Sequence, residues 1–143
     1  RHRRGLYTFW KRTSPYPSMV SFDSPSREVC VSRRIRTNTP LQALVTMNDP
    51  VFVEAAEALA NRMEEMGQED IEDCLIAGYK LALVKNPSET ALKVLKDLYD
   101  NAEKELAKPK AVSISDPNIT SKMTPMIVVA NAILNLDGFL MKE

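Results

Sequence analysis

Asp23, Arg27, Glu28, Cys30, Arg33, Arg34, Arg36 and Asn38 lie within one short stretch of the chain. Carboxylates, a thiol and guanidinium groups this close could line an anion site, or lower the pKa of a cysteine nucleophile. The nucleophilic reading lacks a general base, because the only histidine is His2, at the extreme N-terminus. No catalytic residue is therefore assigned. Arginine rather than lysine implies two-point recognition of carboxylate, sulfate or phosphate, or ion pairs within the fold. Arg27, Arg33, Arg34, Arg36 and Asn38 are the candidate anion- or partner-binding residues. Just upstream, Tyr7, Phe9 and Trp10 stand among further basic residues and are candidates for aromatic docking.

These groups sit in a chain of divided charge. Residues 1–37 carry nine basic and two acidic side chains, a balance of +7, whereas residues 38–143 carry ten basic and seventeen acidic, a balance of −7. The formal net charge is zero, and no nucleic-acid reading motif is present, so nucleic acid is not the expected partner. Pairing of the arginines with acidic groups of the same fold or of a neighbouring domain is the favoured reading.

Other candidates carry less. Met47, Met63 and Met66 recur at helical spacing and read as core, not as a soft-metal site. Glu64, Glu65, Glu69, Asp70, Glu72 and Asp73 form an acidic run without the glycine and alternation of a calcium loop, so it reads as a solvated face and no metal site is assigned. Asn118-Ile119-Thr120 matches a glycosylation triplet that is common by chance. Cys30 and Cys74 leave one disulfide or two thiols open, and no Cys-x-x-Cys-His is present to attach a haem. The most apolar run, Met126 to Leu134, is interrupted by Asn131 and is too short to span a membrane. The N-terminus lacks the apolar segment of a signal peptide, and without an initiator Met the chain is expected to be a piece of a longer protein.

The elements that must position these residues are helices. Thr39-Pro40, Asp49-Pro50, Asn86-Pro87 and Thr124-Pro125 each place a capping residue before proline, which loses nothing at the first helical position. Asn86 with Glu89 adds a capping-box-like pair. Behind Asp49, the spacing of Phe52, Ala56, Leu59, Met63 and Met66 predicts a helix ended by Gly67. A second follows over 71–84, where Gly78 would cost roughly 1 kcal/mol and so implies close packing. Leu92, Leu95, Leu98 or Tyr99, Ala102 and Leu106 form the stripe of a third, and residues 109–121 read as a loop. The last helix, about 125–141, is apolar on most sides and should be the most buried. No alternating strand pattern competes. The expectation is an all-α bundle of about five helices over 38–143, preceded by an irregular basic arm over 1–37 with a short helix at 5–12; residues 13–25 should be extended or irregular.

Read as longer strings, RGLYTFWKRT (5–13 with its flank), FDSPSREVC (22–30) and RRIRTNTPLQALVTMNDPVFVEAAEALANR (33–62) resemble the C-terminal signature of the planctomycete cytochrome-associated domain of unknown function, family number 1553. The closing ANAILNLDGFLMKE (130–143) is similar to that family's end. Arg27, Glu28, Arg33, Arg34, Arg36, Thr37, Asn38, Thr39, Pro40, Gln42, Asn48, Asp49 and Pro50 fall in the signature. The resemblance implies a larger exported bacterial parent with upstream domains as partners, in which c-type haem would sit on the upstream part and none on this chain. It implies an extracytoplasmic setting, which would permit a Cys30–Cys74 disulfide. It carries no catalytic residue. Two functions remain from this reading: a non-catalytic interaction module of the parent, or part of an enzyme or redox assembly gripping sulfated or carboxylated polysaccharide through its arginines.

Overall fold

The computed structural model describes residues 5–11, 13–25, 28–33, 37–67, 70–107 and 123–141. Seven helices are present among them: α1 (Pro17–Ser21), α2 (Pro40–Asn48), α3 (Pro50–Gly67), α4 (Ile71–Leu83), α5 (Glu89–Leu106), α6 (Pro125–Leu134) and α7 (Asp137–Leu140). The described residues hold no strand, only an isolated bridge between Lys11 and Ser14. The chain is all-α, as the capping and periodicity require. It divides into two compact units, Arg1–Val45 and Thr46–Glu143, with the boundary inside α2.

Three of the four Thr/Asp/Asn-Pro pairs start helices as expected. The Thr124 hydroxyl accepts from the Ile127 amide at 3.3 Å, the Asp49 carboxylate from the Val51 amide at 2.9 Å, and the Thr39 hydroxyl from the Gln42 amide at 3.4 Å. The fourth start is displaced. Ser88, not Asn86, caps α5, its hydroxyl accepting from the Ala91 amide at 3.2 Å. Asp70 caps α4 by accepting from the Glu72 amide at 2.9 Å.

The core of the second unit forms around α6, as its all-round apolarity demands. Met126, Ile127, Val129, Ala130, Ile133 and Leu134 are buried against Ala56, Ala60 and Met63 of α3, Cys74 and Leu75 of α4, and Leu95 of α5. Each fully buried aliphatic such as Leu75 or Ile133 contributes about 1.5–3 kcal/mol. The inward stripe of α3 is Ala56, Ala60, Met63 and Gly67, so small residues admit a close neighbour. That neighbour is α4. A Cβ on Gly78 would meet Met63 Sδ at 2.5 Å, and one on Gly67 would collide with the backbone and Sγ of Cys74. Gly78 is thus a packing residue, as its cost in a helix implied.

Several expectations fail for local reasons. Met66 and Met47 are exposed, so of the three methionines only Met63 is core. The last helix breaks after Leu134, because Leu136 is extended (φ −69, ψ 143) and caps a separate short α7. The helix expected at 5–12 is a single 3-10 turn, Gly5–Tyr7, whereas the stretch expected to be irregular contains α1, started by Pro17. The loop at 109–121, with the Asn118 triplet, lies outside the described residues, as does His2.

Candidate interaction site

The unit Arg1–Val45 is tied by polar groups. Asp23 has φ 57, a left-handed conformation that Asp tolerates better than most residues, and its carboxylate turns toward the base of the signature segment. There the Thr37 amide donates to Oδ2 at 2.7 Å, and the Thr37 hydroxyl donates to Oδ1 at 2.8 Å. Gln42 Nε2 adds a longer bond to Oδ2, 3.3 Å, and Gln42 Oε1 accepts from the Thr39 amide at 3.3 Å. Thr39 and Gln42 thereby form a capping box, in which each side chain satisfies the other's backbone N–H. The Asp23–Thr37 bonds close the segment between them into a loop. Of its described residues, Ser24 and Pro25 are half-buried and 28–33 are all exposed, Cys30 and Arg33 included.

Helix α2 is inverted in polarity. Gln42 is 3% exposed and Thr46 1%, while Leu41 and Leu44 are 55% and 59% exposed. Buried polar groups must be bonded, and these are. Gln42 is held as above, and the Thr46 hydroxyl donates to Asn135 Oδ1 at 2.6 Å. Asn131, one turn earlier on α6, donates to the Met47 carbonyl at 3.4 Å. With polar residues turned in, the leucines are turned out. Among the described residues of the unit Arg1–Val45, Gln42 alone is fully buried, and Leu6, Tyr7, Phe9, Tyr16, Val20, Val29 and Val31 are exposed beside the leucines.

Of the residues singled out from the sequence, Tyr7 and Phe9 are exposed and Trp10 is half-buried. Arg33 and Asn38 are exposed; Arg27, Arg34 and Arg36 lie outside the described residues. Cys30 is an exposed and Cys74 a buried free thiol. Burial, then the nearby carboxylates of Glu64, Asp70 and Asp73, push the Cys74 thiol above its usual pKa, which keeps it protonated and unreactive. Among the described residues no group of three His, Cys, Asp or Glu side chains could hold a metal ion. Nor is any described helix long and apolar enough to cross a membrane. Sequence reasoning missed the roles of Thr37, Gln42, Thr46 and Asn135. The Thr39-x-x-Gln42 spacing was a visible signal for the first pair; the Thr46–Asn135 bond, between residues 89 apart, had none.

The residues of this clamp and of the inverted helix fall in the part of the chain that a family model covers. Residues 1–99 match PSD1, described as a protein of unknown function (DUF1553). The chain belongs to the DUF1553 family. The match spans the unit Arg1–Val45 with α3, α4 and most of α5, and stops at Tyr99, before α6 and α7. No curated protein and no solved structure matches the chain. In this DUF1553 chain, then, the matched part carries helix caps, a carboxylate clamp and the exposed leucines of α2.

Proposed function

We propose that this DUF1553 chain is a non-catalytic interaction module of a larger exported, cytochrome-c-associated bacterial protein. Its basic unit docks on an acidic, apolar protein surface. The observation that carries the reading is the inverted polarity of α2, which places Leu41 and Leu44 in water while Gln42 and Thr46 are buried. Exposing two leucines forgoes several kcal/mol of burial, a cost that association would recover. Charge supports the choice of partner, since the unit carries nine basic against two acidic residues.

Hydroxyl-radical footprinting tests the reading. In this chain alone Leu6, Tyr7, Phe9, Leu41 and Leu44 should label freely; within the full-length parent they should be protected. Equal labelling in both settings refutes the module. A thermal shift with sulfated dextran at low salt, unaffected by Leu44→Asp, would favour the anionic-polysaccharide reading instead.

A further inference from the structure

The N-terminal turn presents apolar side chains of its own, apart from the leucines of α2. Gly5–Tyr7 is a 3-10 turn, and the Thr8 amide donates back to the Gly5 carbonyl at 3.1 Å. Gly5 lies close against α1, since a Cβ there would meet Met19 Cε at 3.1 Å. The side chains that follow turn to solvent: Leu6 and Phe9 are each 83% exposed and Tyr7 is 69% exposed. The chain then reverses over 11–14, where the Ser14 amide donates to the Lys11 carbonyl at 3.1 Å, and Lys11 is exposed. Residues 5–11 thus form a short tip that holds three large apolar side chains in water. In sequence, residues 1–22 contain Arg1, Arg3, Arg4, Lys11 and Arg12 and no carboxylate.

From this combination we infer that the tip adsorbs to an anionic lipid surface, with Leu6, Tyr7 and Phe9 entering the headgroup layer while the basic residues meet its phosphates. The two kinds of side chain together select lipid. A water-soluble polyanion would take up the positive charge and leave Leu6 and Phe9 in water. A lipid surface accepts both, because it sets phosphate charge directly above hydrocarbon. Tyrosine suits the level between, with its ring in the apolar layer and its hydroxyl among the headgroups. Such contact needs no spanning element, in keeping with described helices that are too short or too polar to cross a membrane. Charge alone or three apolar side chains alone bind a bilayer marginally, so both are required and the attachment is reversible. The inference goes beyond the docking reading, which α2 carries through different side chains.

Flotation of the whole chain with vesicles decides the matter, using phosphatidylcholine alone or mixed with about 30% phosphatidylglycerol. Trp10 is the only tryptophan and adjoins Phe9, so quenching of its fluorescence by brominated acyl chains reports contact at the tip. At about 20 mM salt the chain should bind the anionic vesicles with Trp10 quenched, and bind neutral ones at least roughly tenfold more weakly; at about 500 mM most binding should be lost. Leu6→Ser combined with Phe9→Ser removes apolar groups and no charge, and should weaken binding roughly 100-fold. Lys11→Gln should weaken it roughly fivefold. Val94→Ser, at an exposed apolar position of α5, should leave binding and quenching unchanged. Every variant should keep the helical circular dichroism spectrum of the unmodified chain. The inference is overturned if the unmodified chain fails to bind anionic vesicles at low salt, if neutral vesicles bind it as well, if the serine pair binds undiminished, or if the bound chain leaves Trp10 unquenched. A chain that ignores vesicles while Leu6, Tyr7 and Phe9 are protected in the parent would assign the tip to a protein and leave the module reading intact. Vesicle binding by a chain whose Leu41 and Leu44 label equally in both settings would remove the module and leave the lipid contact.

Discussion

Removing the Asp23 carboxylate should loosen the start of α2 without weakening the bundle. Asp23 receives the Thr37 amide at 2.7 Å and the Thr37 hydroxyl at 2.8 Å. Hydrogen bonds to a charged acceptor contribute about 1.5–3 kcal/mol each when fully buried. This clamp is half-buried and water can replace part of it, so about 2 kcal/mol for the pair is the working figure. Alanine also fits the left-handed backbone at φ 57 less well than Asp, which adds about 1 kcal/mol. Together, about 3 kcal/mol raises the open population roughly 100-fold. Hydrogen exchange at the Gln42 and Ala43 amides, both bonded to the Thr39 carbonyl, reads this directly. In Asp23→Ala both should exchange roughly 100-fold faster, or at the unprotected rate if that is reached first. Asp23→Gly removes the clamp but not the backbone fit, so its acceleration should be roughly fivefold smaller. Amides of α3 to α6 should be unchanged. Unaltered exchange at Gln42 and Ala43 in Asp23→Ala would refute the clamp.

Other perturbations follow from the packing. Gly78→Ala gains about 1 kcal/mol of helix propensity but drives its methyl into buried Met63, 2.5 Å from Sδ, at about 1–3 kcal/mol; urea unfolding should show a net loss, turning into a gain in a Met63→Ala background. Val84, 84% exposed, is a β-branched residue held at φ 57, so Val84→Gly should raise the unfolding free energy by about 1 kcal/mol, and a loss would contradict the strain. Thr46→Val leaves Asn135 without its donor and should cost about 1–3 kcal/mol in the same assay. Burial raises the pKa of Cys74, and of Tyr99 together with the charge of Glu103. The unfolded chain therefore releases these protons first, and the urea midpoint should fall as pH rises past about 9 through the folded values; a flat midpoint up to pH of about 11 would contradict this.

Much of the fold was legible because helix caps are local. Thr39, Asp49 and Thr124 could be read before proline, and Gly78 announced a close neighbour by its cost. Ser88 displaced Asn86 because both lie near Pro87, and sequence alone does not say which residue leaves the extended region last. The break between α6 and α7 escaped notice because apolar periodicity continues through Leu136 and Phe139. Met66 read as core by spacing, yet the α3–α4 contact runs along Ala60, Met63 and Gly67, rotated away from it. The site was harder. In α2, Leu41 and Leu44 have the spacing of an inward face, and only partners distant in sequence, Asp23 for Gln42 and Asn135 for Thr46, satisfy the buried polar side chains instead.

The unfolding free energies of Leu44→Asp and Gln42→Leu, measured side by side on this chain, test the central claim most directly. If the outer face of α2 is a docking surface, a charge at Leu44 should change stability by less than about 0.5 kcal/mol. Leucine at Gln42, which strands the Asp23 and Thr39 partners, should cost about 1–3 kcal/mol. The reverse order, with Leu44→Asp unfolding the chain and Gln42→Leu tolerated, would mean that the leucines face a core and that α2 presents no surface to a partner.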